Sequence, residues 1–322
     1  MLGLLALAGI AALALAGTGI SGCASGVPGA HASPTSAGGG FSLSGAIVCS
    51  LAFAIAIALR RKKRKPREVL DSRPPPRPRV ASPAPHVVAH SIPGLVRERN
   101  EDRVLVGRVR DIDLVVVADG MGGHARGEDA ADIATSFAML TALRRLAELP
   151  TSEAHAVRAV LLETIWHAAG ELARAARGGE RDALRCTLIL VAVTKSAVVA
   201  AWIGDGAVSL VRATGAVVEL LEPHRTPEGR QNLLHSSLGP ITDGRPSWCI
   251  ATREPGDVLA VMTDGVADHR DASFADDLAR IARSRSSERA LVRWLDALAH
   301  ERDPNGTILR EDNLTIAIHS GG

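Results

Sequence analysis

Leu114-Val115-Val116-Val117-Ala118-Asp119-Gly120-Met121-Gly122-Gly123-His124 joins an apolar strand to a carboxylate and a glycine-rich turn. The strand reading rests on an unbroken run of β-formers bounded by turn residues. Directly after it, helical spacing over Gly127–Leu149 places Ile133, Phe137, Leu140 and Leu143 near one face, and Pro150 stops the helix. A second helix over Ser152–Ala176 carries Val157, Leu161, Ile165 and Leu172. Around these helices the chain alternates short apolar runs with turns. Val104–Val109, Thr187–Val193, Val198–Ile203, Val208–Arg212, Val217–Leu221, Val258–Met262 and Leu314–Ile318 read as strands, and Glu288–His300 as a third helix. Strand pairs with two long consecutive helices inserted after the second strand predict an α+β domain of antiparallel sheets covered by helices, and not a βαβ series.

That domain spans about residues 87–322, and the sequence before it has a different texture. Residues 1–20 are rich in Leu and Ala without a charged side chain, which suits a first transmembrane helix or a signal-type segment. Ile20-Ser21-Gly22-Cys23 resembles the site at which bacterial lipoproteins are cleaved and lipidated. Residues 21–40, rich in Ser, Gly and Pro, predict a flexible external loop. The apolar run 41–59 spans about 28 Å as a helix, close to the hydrocarbon thickness of a bilayer. Arg60-Arg61-Lys62-Lys63-Arg64-Lys65 follows at once, and positive charge at a membrane boundary favours the cytoplasmic side. Contact of this run with anionic lipid adds on the order of 1 kcal/mol per basic residue. Residues 60–86 thus form a basic, Pro-rich linker that holds the domain off the membrane. The expected location is a bacterial inner membrane with the domain in the cytoplasm.

Composition narrows the function. Net charge is +2, tyrosine is absent and aromatics make up 2% of the chain, so the stacking platforms of single-strand recognition are missing and no nucleic-acid partner is expected. Cys23, Cys49, Cys186 and Cys249 lack the close spacing of a zinc or redox site.

Acids at strand ends carry the chemistry: Glu101, Asp102, Asp119, Asp205, Asp264 and Asp312. Each alone reads as a turn or capping residue. As a set on the ends of a rigid sheet, they offer oxygen-only ligands that suit Mg²⁺ or Mn²⁺ better than zinc.

The order and surroundings of these acids resemble the metal-dependent protein serine/threonine phosphatases of type 2C, in their bacterial form. The blocks are Gly94-Leu95-Val96-Arg97-Glu98-Arg99-Asn100-Glu101-Asp102, Val117 to His124, Gly204-Asp205, Met262-Thr263-Asp264-Gly265-Val266-Ala267-Asp268, and Glu311-Asp312-Asn313-Leu314-Thr315. The resemblance implies a four-layer α-β-β-α sandwich of two antiparallel sheets. It implies that Asp119 bridges two Mn²⁺ or Mg²⁺ ions, that the Gly120 carbonyl ligates one, and that Asp264 and Asp312 are further metal carboxylates. Glu101 and Asp102 act at the metals partly through water, Asp205 serves a weaker third ion, and Arg97 clamps the substrate phosphate. A metal-bridged water then attacks phosphoserine or phosphothreonine of kinase targets without a phosphoenzyme, leaving Cys186, Ser209 and Ser237 structural. Three departures stand out. Met121 replaces the His that follows Asp-Gly in animal members, with His124 three residues on, so the general acid is open. Gly206-Ala207 replaces Ser-Arg after Gly204-Asp205, which leaves the third ion open. The flap shrinks to His224–Arg230 ahead of Asn232-Leu233-Leu234 and Leu238-Gly239. These departures motivate an alternative, a catalytically weak or inactive phosphoprotein-binding module at the membrane.

Overall fold

A β-strand sends successive side chains to opposite faces, and both faces of β3 (Ile112–Asp119) are buried in the computed structural model. The structure describes residues 86–121, 126–176, 184–226, 234–268 and 270–321. The two apolar segments, the external loop, Cys23, Cys49, the basic run, the Pro-rich linker and His124 lie outside the described residues. Among the described residues no helix is long and apolar enough to cross a membrane.

On β3, Ile112, Leu114, Val116 and Ala118 face α1 (Gly127–Glu148) and α2 (Ala154–Ala175), while Val115 and Val117 face a second sheet. The neighbouring strands β4 (Leu188–Val193) and β5 (Ala197–Ile203) alternate in the same way. The first sheet runs β2 (Asp102–Val109), β3, β4, β5, β8 (Ser247–Thr252). The second runs β1 (Val87–Ile92), β10 (Leu314–Ser320), β9 (Val258–Met262), β6 (Ala207–Val211), β7 (Val217–Glu219). All named pairs are antiparallel. The outer face of the second sheet packs on α3 (Asp264–Ala267), α4 (Phe274–Ala282) and α5 (Ser287–Ala299). The result is helices, sheet, sheet, helices, with three apolar interlayers. Each large side chain in them contributes on the order of 1.5–3 kcal/mol by leaving water.

The expected face of α1 needs correction. Phe137 and Leu140 are exposed, and the buried stripe is Ala130, Ala131, Ala134, Ala138, Ala142 and Leu146. Small residues let the helix lie close to the sheet, and a helix with apolar residues all round carries no unique periodic face. On α2 the expected Val157, Leu161, Ile165 and Leu172 are all fully buried. Two edge strands, β1 and β8, and helices α3 and α4 were not expected from the sequence. Both edge strands mix polar and apolar residues and are only partly buried, which weakens the period-2 signal.

Candidate active site

Register brings the first two acids together. Asp102 opens β2, Asp119 closes β3, and the two are direct antiparallel partners, a position that sets Cβ atoms about 4.5–5.5 Å apart on one face. Like charges so placed oppose the ladder unless something compensates them. Asp102 is buried and accepts a 2.8 Å hydrogen bond at Oδ2 from Thr263 Oγ1. Burial pushes its carboxyl up to about 6 against the pull of hydrogen bonds from Thr315 and Thr263. Asp119 is pushed well above the carboxylate range, first by burial and then by the negative charge of Asp102, Asp264, Asp312 and Asp205. Its backbone is fixed in both directions by Thr187, whose Oγ1 accepts from Asp119 N at 2.9 Å and whose N donates to Asp119 O at 2.8 Å.

The second sheet supplies the other acids. Asp264 follows β9 at the start of α3, Asp312 stands two residues before β10, and Asp205 lies in the turn where the chain crosses from β5 to β6. Burial, followed by the charge of Asp205, pushes Asp264 up to about 7. Its Oδ1 is buried without a hydrogen-bond partner. Arg97 Nη2 donates to Asp312 Oδ2 at 2.8 Å from an exposed position on the cleft rim. Asn313 ties this rim down: Oδ1 accepts from Glu101 N at 2.9 Å, and Nδ2 donates to Pro93 O and Arg99 O at 3.1 and 3.0 Å. Glu101 is raised by burial, with Arg97 opposing.

Two glycines are dictated by close approach. A Cβ on Gly120 would fall on the Gly127 carbonyl and 2.9 Å from Glu101 O. Gly94 has φ +72°, where side chains are strained, and a Cβ there would stand 2.7 Å from Asp312 O.

Arg97, Glu101, Asp119, Gly120, Asp205, Asp264 and Asp312 thus line one cleft of ≈ 410 Å³, and Asp102 lies beneath it as the partner of Asp119. Among the described residues no three His, Cys, Asp or Glu side chains are drawn round one point closely enough to hold an ion as they stand. The cations among the carboxylates are guanidinium groups, Arg97 on Asp312 and Arg225 on Asp205 and Asp268. The donor set still fits a hard divalent ion: it is all oxygen, it includes an unpartnered buried carboxylate oxygen on Asp264, and its acids are raised first by burial and then by mutual repulsion, both of which a divalent ion offsets.

Sequence reading gave no role to Thr263, Asn313, Arg225, Asp268 or Arg185. Thr263 and Asn313 fall inside the quoted blocks, and their side chains orient the acids. Arg185 lines the opposite wall, ion-paired with Asp243 and donating to Ser237 Oγ at 3.1 Å. Ser237 therefore borders the cleft as a support for Arg185. Ser209 is buried against Glu219, and burial pushes the Cys186 thiol up.

Comparison with known proteins agrees with this geometry. A serine/threonine phosphatase of Listeria welshimeri is 26% identical over 238 residues, 67% of this chain and 91% of its own length. Its counterpart in Listeria monocytogenes is 26% identical over 247 residues, 70% and 91% of the two chains. Among solved structures, the S. agalactiae serine/threonine phosphatase superposes with a TM-score of 0.59 at 22% identity, covering 73% of this chain and 98% of the other. PppA, a regulatory component of the T6SS in Pseudomonas aeruginosa, gives 0.55 at 24%, covering 73% and 96%. The family description "Protein phosphatase 2C" matches residues 96–297, well over half of the sequence, and the chain belongs to the protein phosphatase 2C family.

Proposed function

We propose that the chain is a metal-dependent protein serine/threonine phosphatase, acting on phosphoserine or phosphothreonine of kinase targets. The observation that carries this reading is the convergence of Asp119, Asp264 and Asp312 on one cleft with Arg97 at its rim. The names of the Listeria relatives support it.

In this reading Asp119, the Gly120 carbonyl, Asp264 and Asp312 hold two Mn²⁺ or Mg²⁺ ions, and Glu101 and Asp102 complete the surrounding acid shell. Bound ions supply Lewis acidity, making water more acidic and neutralising phosphoryl charge. Arg97 orients the phosphate: its planar fork matches two phosphate oxygens, and its exposed seat on Asp312 leaves it able to turn to an entering anion. Thr187 and Thr263 keep Asp119 and Asp102 in place. Asn313 does the same for the segment that carries Arg97 and Glu101.

A membrane tether belongs to the same proposal and is supported by sequence, through the apolar run 41–59 and the six basic residues after it.

The test is hydrolysis of a phosphothreonine peptide by the purified chain in Mn²⁺ or EDTA, beside Asp119→Asn. Turnover that needs Mn²⁺ and falls by about 10³-fold in the variant, the scale of losing a group that organises transition-state charge, is expected. Phosphopeptide binding without turnover by folded protein would select the regulatory module instead.

A further inference from the structure

Between β7 and β8 the chain passes the acid cluster at His224 and Arg225. His224 N donates to Gly204 O at 2.9 Å, and its buried ring accepts from Gly204 N through Nδ1 at 3.3 Å. The other ring nitrogen, Nε2, meets Ser247 Oγ at 2.9 Å. These bonds seat residue 225 beside the Gly204-Asp205 turn, where it also pairs with Leu234. From that seat the guanidinium reaches three carboxylates. Nε is 3.0 Å from Asp205 Oδ2, and Nη2 is 2.9 Å from Asp268 Oδ2 and 3.7 Å from Asp264 Oδ2.

Three acids within reach of one guanidinium repel one another unless a cation stands among them. Arginine supplies one that does not lose its proton, yet it offers no Lewis acidity and no coordination position for water. Asp205 is itself buried, so its charge depends on this partner. Asp264 divides the cluster: Oδ2 turns toward Arg225, while Oδ1 is buried without a partner. The two oxygens of one carboxylate thus serve two compartments, one already neutralised by the chain and one not.

We propose that Arg225 is a resident cation that closes the Asp205–Asp268 corner to divalent ions, confining metal to the side of Asp119, Gly120, Asp312 and Asp264 Oδ1. This rests on the acid cluster being the metal centre. Asp205 is then a positioning residue for Arg225 and not a ligand.

The experiment counts Mn²⁺ bound per full-length chain from the paramagnetic resonance signal of the unbound ion. Arg225→Ala is expected to take up one ion more than the wild type, and Arg225→Lys, which keeps the charge, to match the wild type. Adding Asp205→Asn to Arg225→Ala should remove the extra ion. Equal, non-zero counts in wild type and Arg225→Ala overturn the inference. A count of zero in both overturns the metal-centre reading itself, and the inference with it, and is distinguishable from the former. Should Arg225→Ala fail to fold, the wild type beside Asp205→Asn decides: equal counts are expected, and loss of an ion in Asp205→Asn overturns the proposal.

Discussion

Asp113 and Asp119 lie six residues apart on β3 and, by the two-residue period of a strand, point to the same face, into the layer between the sheets. Val115 and Val117 fill the space between them. At one end of the layer Asp113 meets His319 Nε2 at 3.1 Å and Arg108 Nη1 at 3.1 Å. Burial works to raise its carboxyl, but the hydrogen bond from His319 and the charge of Arg108 outweigh it and hold the group below the usual range. At the other end Asp119 has burial and four acids acting in one direction. One strand therefore ends in a carboxylate compensated by its own chain and in one that is not. The first kind stabilises a fold; the second is held up by burial and by repulsion from its neighbours, and an arriving cation offsets both.

The largest expected difference is in pH dependence. For Asp102 and Asp264 the folded-state value is raised from 3.8 to about 6 and about 7, so the folded chain binds more protons than the unfolded one between about pH 4 and 7. Stability therefore falls as pH rises through that window. At about 1.4 kcal/mol per unit of displacement, Asp102 alone is worth on the order of 3 kcal/mol. Asp113 acts oppositely: its contribution is present above the unfolded value and lost as pH falls below about 4. Urea midpoints in EDTA should decline from pH 4 to 7, and Mn²⁺ should flatten the decline. A midpoint in EDTA that is level or rising over this range contradicts the contrast between the two ends.

Substitution comes next in size. Asp113→Asn removes one partner from His319 and Arg108 and should cost about 2–3 kcal/mol, at the low end for a broken buried pair because Arg108 reaches solvent. That corresponds to roughly 5–10 °C in Tm for a domain of this size. Asp119→Asn, which removes a repelled charge, should leave Tm in EDTA unchanged or higher. Thermal melts of the two variants in EDTA check this directly; equal losses would mean that both acids are structural.

The same contrast explains what could be read without a structure. The acid cluster was legible because each member lies at one end of an apolar run or in a turn beside it, and the blocks around them repeat a family pattern in order. Antiparallel sheets covered by helices were legible because strand-like apolar runs alternate with turns around two long consecutive helices, whereas the four-layer order came from the resemblance. The Asp113–His319 pair was not legible, since 206 residues separate partners that nothing in the local sequence connects. Arg225 was missed for a related reason: it lies in the shortened flap, and its three acid partners come from the β5–β6 turn and from α3 and the residue after it. Phe137 and Leu140 misled because alanine, which carries the packing of α1, contributes little to a hydrophobic pattern.

Thr263 sharpens the comparison at its smallest scale. Asp113 is compensated by the Arg108 guanidinium and by a hydrogen bond with His319, whereas Asp102 has neutral donors, and Thr263 Oγ1 at 2.8 Å is one of them. Replacing Thr263 by Val keeps the shape and removes the donor, leaving the buried carboxylate poorer by one hydrogen bond, about 1 kcal/mol. A less stabilised carboxylate is more readily protonated, so ion binding at neutral pH must displace a proton held more tightly. Mn²⁺ affinity by calorimetry at pH 7 should weaken by up to about fivefold, the equivalent of about 1 kcal/mol. The loss should shrink at pH 8, where protonation no longer competes. An affinity unchanged at both pH values would show that Asp102 is set by its strand register with Asp119 alone, and that the threonine beneath it is packing.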